Sequence, residues 1–439
     1  MPLGVLFLMR IKNLSFIITV FFVVLFLSGC NDDPTLVGYN LQYDTASFVP
    51  IGSDIYPLIT EAKPFKQLTH IFNTGATFIG SYNGYKAVTM MLFADIPDSL
   101  EYVTSDNIIS ADLVMTARRY TFGDSISNNL SFKVFKFNRK QWFKIDTTGT
   151  SPKLDSTLSW EKIYGSSSTS DFFDYSKTIA QYSQTIPLGD SVQISMPFDK
   201  DLITEWFKVW NNVRKNGVKD TIFGISMVPD DASGIIRQFS TVAVGDTGRS
   251  KTKIIVSYRD KNSEIKTATL NGVVEASILT GPAPDPGTIA LQGALSYRTQ
   301  LWFDVSQIPK YSSIHTAQLE IYRDDTKCIR GNTTLDSIVV AELDIDAADT
   351  TLKGYARTYA GKLTAAGSDK YYFYNMSSAV EEWTRRGGKG ALDFRYYNFN
   401  DEYRKMDRLV FHGMNTSDKT KLPKLKIIYS MRPTMNKGK

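Results

Sequence analysis

The chain contains few of the side chains that carry out metal or nucleophilic catalysis, and their spacing does not bring them together. Its three histidines, His70, His315 and His412, form no His-x-x-x-His pair of the kind that holds catalytic zinc. No Gly-x-Ser-x-Gly turn is present, so the sequence does not support the common esterase arrangement. Glycine-rich loops that bind nucleotide phosphates are also absent from it. We therefore predict no catalytic residue of these types and no cofactor.

Carboxylates are the remaining candidates for catalysis or metal binding. Glycoside hydrolysis needs only two carboxyl groups about 5–10 Å apart, and a chain with 45 acidic residues leaves that possibility open. Three acidic clusters offer the grouped oxygens that calcium prefers, at Asp230-Asp231, Asp324-Asp325 and Asp344-Ile345-Asp346. None of them has the spacing of an EF-hand loop. We expect solvated turns at these positions and assign no metal ligand, and the sequence leaves calcium binding undecided.

Aromatic rings offer a different chemistry, because sugars stack on exposed rings. In Tyr371-Tyr372-Phe373-Tyr374 and Tyr396-Tyr397, the alternation of a strand must place rings on both faces. In Leu301-Trp302-Phe303, either the tryptophan or its neighbours must face outward. An outward row of rings suits a glycan or a protein partner. The alternative is that these amphipathic rings are half buried at the edges of a sandwich. The candidate binding residues are Trp302, Tyr371, Tyr372, Tyr374, Tyr396 and Tyr397.

Cys30 is the candidate for a covalent modification. It follows Ser28-Gly29 and an apolar run over residues 14–27, which two basic residues precede. This order is typical of a secretory signal, and the run is shorter than the roughly 20 apolar residues of a membrane-spanning helix. The small residues before the cysteine look like the lipobox of bacterial lipoproteins. That similarity implies that residues 1–29 are a signal peptide, that Cys30 is lipidated, and that residues 30–45 are a tether.

Charge and cysteine content limit the classes of partner. Removal of residues 1–29 takes away two of the 50 basic residues and no acid, which leaves 48 against 45 and a net charge of +3. That charge is too small to indicate a nucleic-acid-binding protein. The only other cysteine is Cys328, so a chain lipidated at Cys30 has no intrachain disulfide. We expect Cys328 to be a small buried or half-buried residue.

Two parts of the chain repeat one order of elements. In each part an apolar strand ends in Ile-Pro and leads to a half-buried strand, a long insertion, a Glu-Trp helix, two strands and a closing strand. The matching segments are 85–97 and 297–309, 109–117 and 314–322, 197–207 and 376–384, 221–227 and 391–397, 237–241 and 408–412, and 253–258 and 424–429. A repeated order over so many elements predicts two domains of one fold.

The predicted fold is all-β, with two tandem jelly-roll-like β-sandwich domains that each contain one short helix. The first domain covers 46–259 and the second covers 264–431, because the charged stretch between them reads as a linker. In the helices, Asp199 and Ser377 are the expected N-caps. Trp206 and Trp383 have the spacing of a buried helical face, so both are expected in the core.

These motifs resemble those of the DNRLRE domain. The pairs Glu205-Trp206 and Glu382-Trp383 match the helix of that family, and Phe303-Asp304 matches the end of its first strand. Phe93-Ala94-Asp95 departs from that pattern, and the string that names the family is absent from both copies. The resemblance implies a jelly-roll-like sandwich in an exported bacterial protein, and some members of the family bind polysaccharide. It transfers no binding residue. Asp32 and Asp33 look like the acidic tether signals of cell-surface lipoproteins.

The sequence therefore predicts a non-catalytic outer-membrane lipoprotein of the bacterial envelope that carries two β-sandwich binding modules. It leaves open whether the protein faces the periplasm or the cell surface. The expected partners are the membrane, through lipidated Cys30, and either extracellular polysaccharide or another envelope protein; nucleic acid is not expected. Two alternatives remain open. One is a polysaccharide lyase or glycoside hydrolase, and the other is a structural subunit of an envelope assembly.

Overall fold

The structure is a computed structural model that describes residues 47–66, 70–94, 96, 100, 103–123, 128–137, 143–145, 152–154, 159–160, 173–216, 223–241, 252–332, 337–345, 352–397 and 399–431. The predicted signal peptide, Cys30 and the tether lie outside these residues. Pro50–Tyr429 forms one compact unit. The other unit comprises Met1–Val49 and Ser430–Lys439.

The described residues are mostly strands, so the predicted all-β class is confirmed. The strands up to residue 280 are β1 Phe48–Gly52, β2 Ile59–Lys66, β3 His70–Phe72, β4 Ala76–Tyr82, β5 Tyr85–Ala94, β6 Ile108–Gly123, β7 Asn129–Phe137, β8 Phe143–Ile145, β9 Pro152–Leu154, β10 Phe173–Thr185, β11 Val192–Pro197, β12 Phe223–Pro229, β13 Ile235–Ser240, β14 Lys253–Arg259 and β15 Ile265–Thr280. The later strands are β16 Ile289–Gln292, β17 Tyr297–Asp304, β18 Ser313–Tyr322, β19 Ile338–Ile345, β20 Leu352–Leu363, β21 Lys370–Phe373, β22 Lys389–Tyr396, β23 Arg408–Phe411 and β24 Lys424–Ser430.

The α-helices that the described part of the chain contains in full are α1 Lys200–Asn216, α2 Ser377–Arg385 and α3 Phe399–Arg404. Asp199 caps α1 as predicted, since its Oδ1 accepts from the backbone N of Leu202 at 2.8 Å. The predicted cap Ser377 is wrong, because Met376 occupies the N-cap position of α2 without a side-chain bond. The short helix α3 was not predicted and gives the second repeat two helices. Short 3₁₀ turns lie at Ser105–Asn107 and Lys419–Lys421.

The first large sheet folds around a core from the first repeat. Its strand order is β10-β7-β12-β5-β4-β13-β6-β14-β15-β3, with β11 paired to β6. A further pairing of β15 with β5 closes a ring of six strands, β5-β4-β13-β6-β14-β15. The apolar residues that alternate along these strands are buried together with Trp206 of α1, as the sequence predicted. The strands β8 and β9 form a separate two-stranded sheet.

The second large sheet has the order β1-β24-β18-β21-β20-β19-β22-β17-β16-β23, with β2 paired to β17. Its strands correspond to those of the first sheet: β17 pairs with β22 as β5 pairs with β12, and β11 and β21 pair with the matching strands β6 and β18. Trp383 of α2 is buried and stacks on Phe303 at a centroid distance of 4.9 Å. Two large antiparallel sheets with matching pairings support the predicted repeat of one sandwich fold.

Two long strands change partners at a glycine. The first part of β15 pairs with β14 and its second part with β5, and the register shifts next to Gly272. A Cβ atom at Gly272 would lie 2.7 Å from Met91 Sδ. The strand β20 changes partner from β19 to β21 at Gly361, where a Cβ atom would lie 2.8 Å from a ring carbon of Phe373. Glycine allows a close approach that a larger residue would block at both bends.

The leading strand of each repeat is paired with the body of the other repeat. The strand β2 lies against β17, with Ala62 opposite Leu301, and β1 lies next to β24. The strand β15, which the sequence assigned to the second domain, pairs instead with β14 and β5. We call β3–β15 (residues 70–280) the first sandwich, and β1, β2 and β16–β24 (residues 48–66 and 289–430) the second sandwich.

The expected linker is a tight hairpin turn between β14 and β15. The backbone N of Asp260 donates to Glu264 O at 2.9 Å, and Asp260 Oδ1 accepts from the backbone N of Asn262 and Glu264. Ser263 has a positive φ of 62°. A short polar stretch has the composition of both a linker and a turn, so the sequence alone did not distinguish them.

A buried polar network joins the two sandwiches. Tyr120 Oη donates to Asp407 Oδ2 at 2.8 Å and accepts from the backbone N of Met406 at 2.6 Å. The other oxygen of Asp407 accepts from the backbone N of Gly331 at 2.8 Å. Asn332 bonds to the backbone on both sides of Tyr120. Because Tyr120, Met406 and Asp407 are buried and satisfy one another's hydrogen bonds, the contact fixes one geometry between the sandwiches.

Within the described residues, no helix is both long enough and apolar enough to cross a membrane.

Candidate ligand-binding face

The tyrosine run in β21 places its rings on opposite sides of the sheet. Tyr371 and Phe373 are buried in the second sandwich. Tyr372 is half buried on the outer side, and Tyr374, just after the strand, is 45% exposed there. The predicted alternation is therefore confirmed, and it divides the candidate residues: Tyr371 belongs to the core, whereas Tyr372 and Tyr374 face outward.

The other aromatic candidates do not join this pair. Trp302 is half buried against Leu343 and Ala391, in a strand paired on both sides. Tyr396 is buried, and its hydroxyl donates to Asp407 O at 2.7 Å. Burial, followed by the neighbouring Asp407, raises the pKa of Tyr396 well above its usual value. Tyr397 is 68% exposed but lies at the end of β22, outside the strands that carry the outward tyrosines.

Four adjacent strands, β20, β21, β18 and β24, form the surface around Tyr372 and Tyr374. Their alternating burial turns a set of polar and aromatic side chains outward. We call this set the tyrosine–lysine face; it comprises Lys362, Lys370, Tyr372, Tyr374, Gln318, Glu320, Tyr322, Lys424 and Lys426. In the register, Tyr372 stands between Lys362 on β20 and Glu320 on β18.

The rings of the face are held by stacking and by a lysine. Tyr372 and Tyr374 stack with centroids 5.5 Å apart and planes 24° from parallel. Lys370 Nζ lies 4.4 Å from the centroid of Tyr372 and 5.4 Å from that of Tyr322. A cation this close to a ring face is attracted by the ring's quadrupole. The amino group therefore lies between two rings that are otherwise turned to solvent.

Glu320 organises the lysines. Its side chain is only 3% exposed, although its strand position faces outward. Its carboxylate accepts from Lys426 at 2.6 Å, Lys370 at 3.0 Å and Gln318 at 3.2 Å. Burial would lower the pKa of Lys370, but hydrogen bonds to Tyr372, Glu320 and Tyr322 outweigh it and raise that pKa above its usual value. Lys370 is therefore charged at neutral pH.

Sequence reasoning missed the charged members of the face. Lys426 is 106 positions from Glu320 along the chain, so no local motif joins them. The period of two in β18, with Ala317, Leu319 and Ile321 buried, was the available signal, because it places Gln318, Glu320 and Tyr322 on one outer face.

The first sandwich carries different residues at the equivalent position. The strand β11 pairs with β6 as β21 pairs with β18, and its exposed residues include Gln193 and Ser195. These residues provide neither rings nor charges. The strand β11 therefore does not repeat the outward tyrosine and lysine of β21.

The acidic clusters are engaged in ordinary contacts. Asp230 accepts from Ser131 at 2.8 Å, Asp325 pairs with Arg323 at 2.5 Å, and Asp344 pairs with Arg386. Among the described residues, no group of three or more His, Cys, Asp or Glu side chains is placed to hold a metal ion. Asp346 lies outside those residues. Cys328 is half buried, and burial raises the pKa of its thiol.

Two clefts lie elsewhere on the protein. A cleft of about 610 Å³ surrounds the β14–β15 turn, with Val103, Tyr258 and Lys266 in its lining. A second cleft, of about 360 Å³, is lined by two acids, Asp285 and Asp324, and by Phe411 and His412. Asp285 pairs there with Lys327 at 2.8 Å.

Comparisons with known proteins assign no family. The model of the TGF-beta propeptide family matches residues 275–413, which is less than half of the chain. No curated protein matches the sequence. A solved structure described as "BspA_C_WT" aligns over 81% of this chain and 99% of its own length, at 10% identity. Its TM-score of 0.16 is too low to support an argument about fold or function.

Proposed function

We propose that this protein is a non-catalytic, lipid-anchored binding protein of the bacterial envelope that holds extracellular polysaccharide on the tyrosine–lysine face. The observation that carries the proposal is the stacked, outward pair of Tyr372 and Tyr374, supported from the side by Lys370. The anchor is supported by the sequence around Cys30.

The shape of the face suits an extended polymer. Four adjacent strands span three spacings of about 4.8 Å, or roughly 14 Å, without an intervening loop. Stacked rings provide an apolar floor for the C–H face of a sugar, and their hydroxyl groups and the lysines provide hydrogen bonds at its edge. Because the rings are already held in place, little side-chain freedom is lost when a ligand binds.

Retention on a panel of insoluble and soluble polysaccharides tests the proposal. We expect wild-type protein to be retained and Tyr374→Ala to bind roughly fivefold more weakly, corresponding to the loss of about 1 kcal/mol of ring contact. Tyr397→Ala is the matched control, because Tyr397 is a more exposed tyrosine outside the face. No retention on any polymer, or an equal loss in both variants, would refute the proposal.

A further inference from the structure

The charges of the tyrosine–lysine face define a class of ligand, an inference that rests on the proposed function. The face contains four lysines, Lys362, Lys370, Lys424 and Lys426, and one carboxylate, that of Glu320, which gives a net charge of +3. Beside it, Lys421 pairs with Asp369 at 2.8 Å and leaves this balance unchanged.

The single carboxylate is not available to a ligand. Glu320 is covered by the lysines that it binds, Lys370 and Lys426, so the groups that reach solvent are amino groups and phenol rings. A polymer approaching the face therefore meets positive charge beside an aromatic floor. Lys362, directly across from Tyr372 in the register, is exposed and extends this charge to the next strand.

We infer that the ligand is an anionic polysaccharide, in which sugars carry carboxylate or sulfate groups. Its sugar rings stack on Tyr372 and Tyr374, and its acidic groups pair with Lys362 and Lys424 on either side. A neutral polymer would leave these lysines without a counter-charge. Nucleic acid fits less well, because the charge of the whole chain is only +5.

The test compares two polymers with the same sugar backbone, one charged and one neutral: polygalacturonate and its fully methyl-esterified form. We expect the purified protein to bind the charged form about tenfold more tightly at low ionic strength, a factor equivalent to about 1.4 kcal/mol. At about 0.5 M NaCl, where the screening length falls to roughly 4 Å, the difference should largely disappear. Alginate and chondroitin sulfate extend the test to other acidic groups.

Variants separate charge from stacking. Combined Lys362→Gln and Lys424→Gln should weaken binding to the charged polymer about tenfold and binding to the neutral polymer by much less, because only the charged polymer loses ion pairs. The matched control combines Lys133→Gln and Lys208→Gln, two exposed lysines of the first sandwich, and should change neither affinity. Tyr374→Ala should weaken binding to both polymers.

The outcomes distinguish this inference from the proposed function. Equal binding of the charged and neutral polymers, or retention on neutral glycans alone, overturns the anionic class and leaves polysaccharide binding in place. No retention on any polymer overturns both. Tighter binding of single-stranded DNA than of all three acidic polysaccharides overturns the assignment to polysaccharide.

Discussion

The pairing of β2 with the second sandwich makes a sharp prediction for Leu58. This residue is fully buried, and its carbonyl accepts from the backbone N of Asp304 at 2.9 Å, at the end of β17. The next residue, Ile59, is also buried and stands opposite Phe303. Truncating a buried leucine to alanine removes packing and leaves a cavity, so Leu58→Ala should destabilise the second sandwich by about 3 kcal/mol.

Native-state hydrogen exchange identifies which strands this substitution destabilises. In Leu58→Ala, amides of β17 and β24 should exchange roughly 100-fold faster, while those of β5 and β12 keep their protection. Leu270→Ala is the reciprocal control, because Leu270 is buried in β15 and stands opposite Ile254 of β14. This variant should speed amide exchange in β14 and β5 and leave exchange in β17 unchanged. Suppose instead that Leu58→Ala speeds amide exchange only in residues 47–66, or speeds it in β5 as much as in β17. The pairing of β2 with β17 would then not be what stabilises the second sandwich.

Three further predictions concern buried groups. Tyr120→Phe should lower the free energy of unfolding by about 1–3 kcal/mol, because Asp407 Oδ2 loses its hydroxyl donor and the backbone N of Met406 loses its acceptor; urea denaturation measures this, and no change would contradict the network. Burial raises the pKa of Glu275 above its ordinary 4.5, although the backbone N of Gly75 opposes the shift. The stabilisation of the folded protein that follows from this shift is fully present at pH values below the ordinary pKa. It is lost as pH rises through the pKa that Glu275 has in the folded protein. Wild type should therefore lose stability relative to Glu275→Gln across that rise, as thermal melts at stepped pH would show; parallel curves would contradict this. Burial also raises the pKa of the Cys328 thiol, so iodoacetamide should label it at pH 8 only after denaturant is added, and rapid labelling of native protein would refute the assignment.

Local periodicity predicted the strands and the core, because burial follows directly from alternation. Ala317, Leu319 and Ile321 are buried in β18 as predicted, and Trp206 and Trp383 lie in the core. These signals are contained within a few neighbouring residues. They do not depend on which other strand completes the sheet.

Local periodicity did not predict which distant strands pair with each other. Residues 48–66 and 265–280 supply equivalent leading strands to two copies of one fold, so their own patterns do not say which copy each completes. The same limit applies to the binding face. Alternation placed tyrosines on both sides of β21, but only the pairing of β18, β21 and β24 brings Lys426 to Glu320 and Lys370.

The fold occurs twice in this chain but carries one candidate binding face, so the two sandwiches differ in what they contribute to ligand binding. At the position where β21 presents Tyr372, the first sandwich presents Gln193 and Ser195, which offer a ligand neither rings nor charge. Because each sandwich is completed by the other's leading strand and Tyr120 binds Asp407 across their contact, the first sandwich cannot move independently of the face. Two sites on one chain raise avidity only if both bind the ligand. Among its described residues, this chain has one tyrosine–lysine face. Under the proposed function, the first sandwich would hold the second in a fixed geometry, and tight attachment to a polymer would come from many lipid-anchored chains side by side.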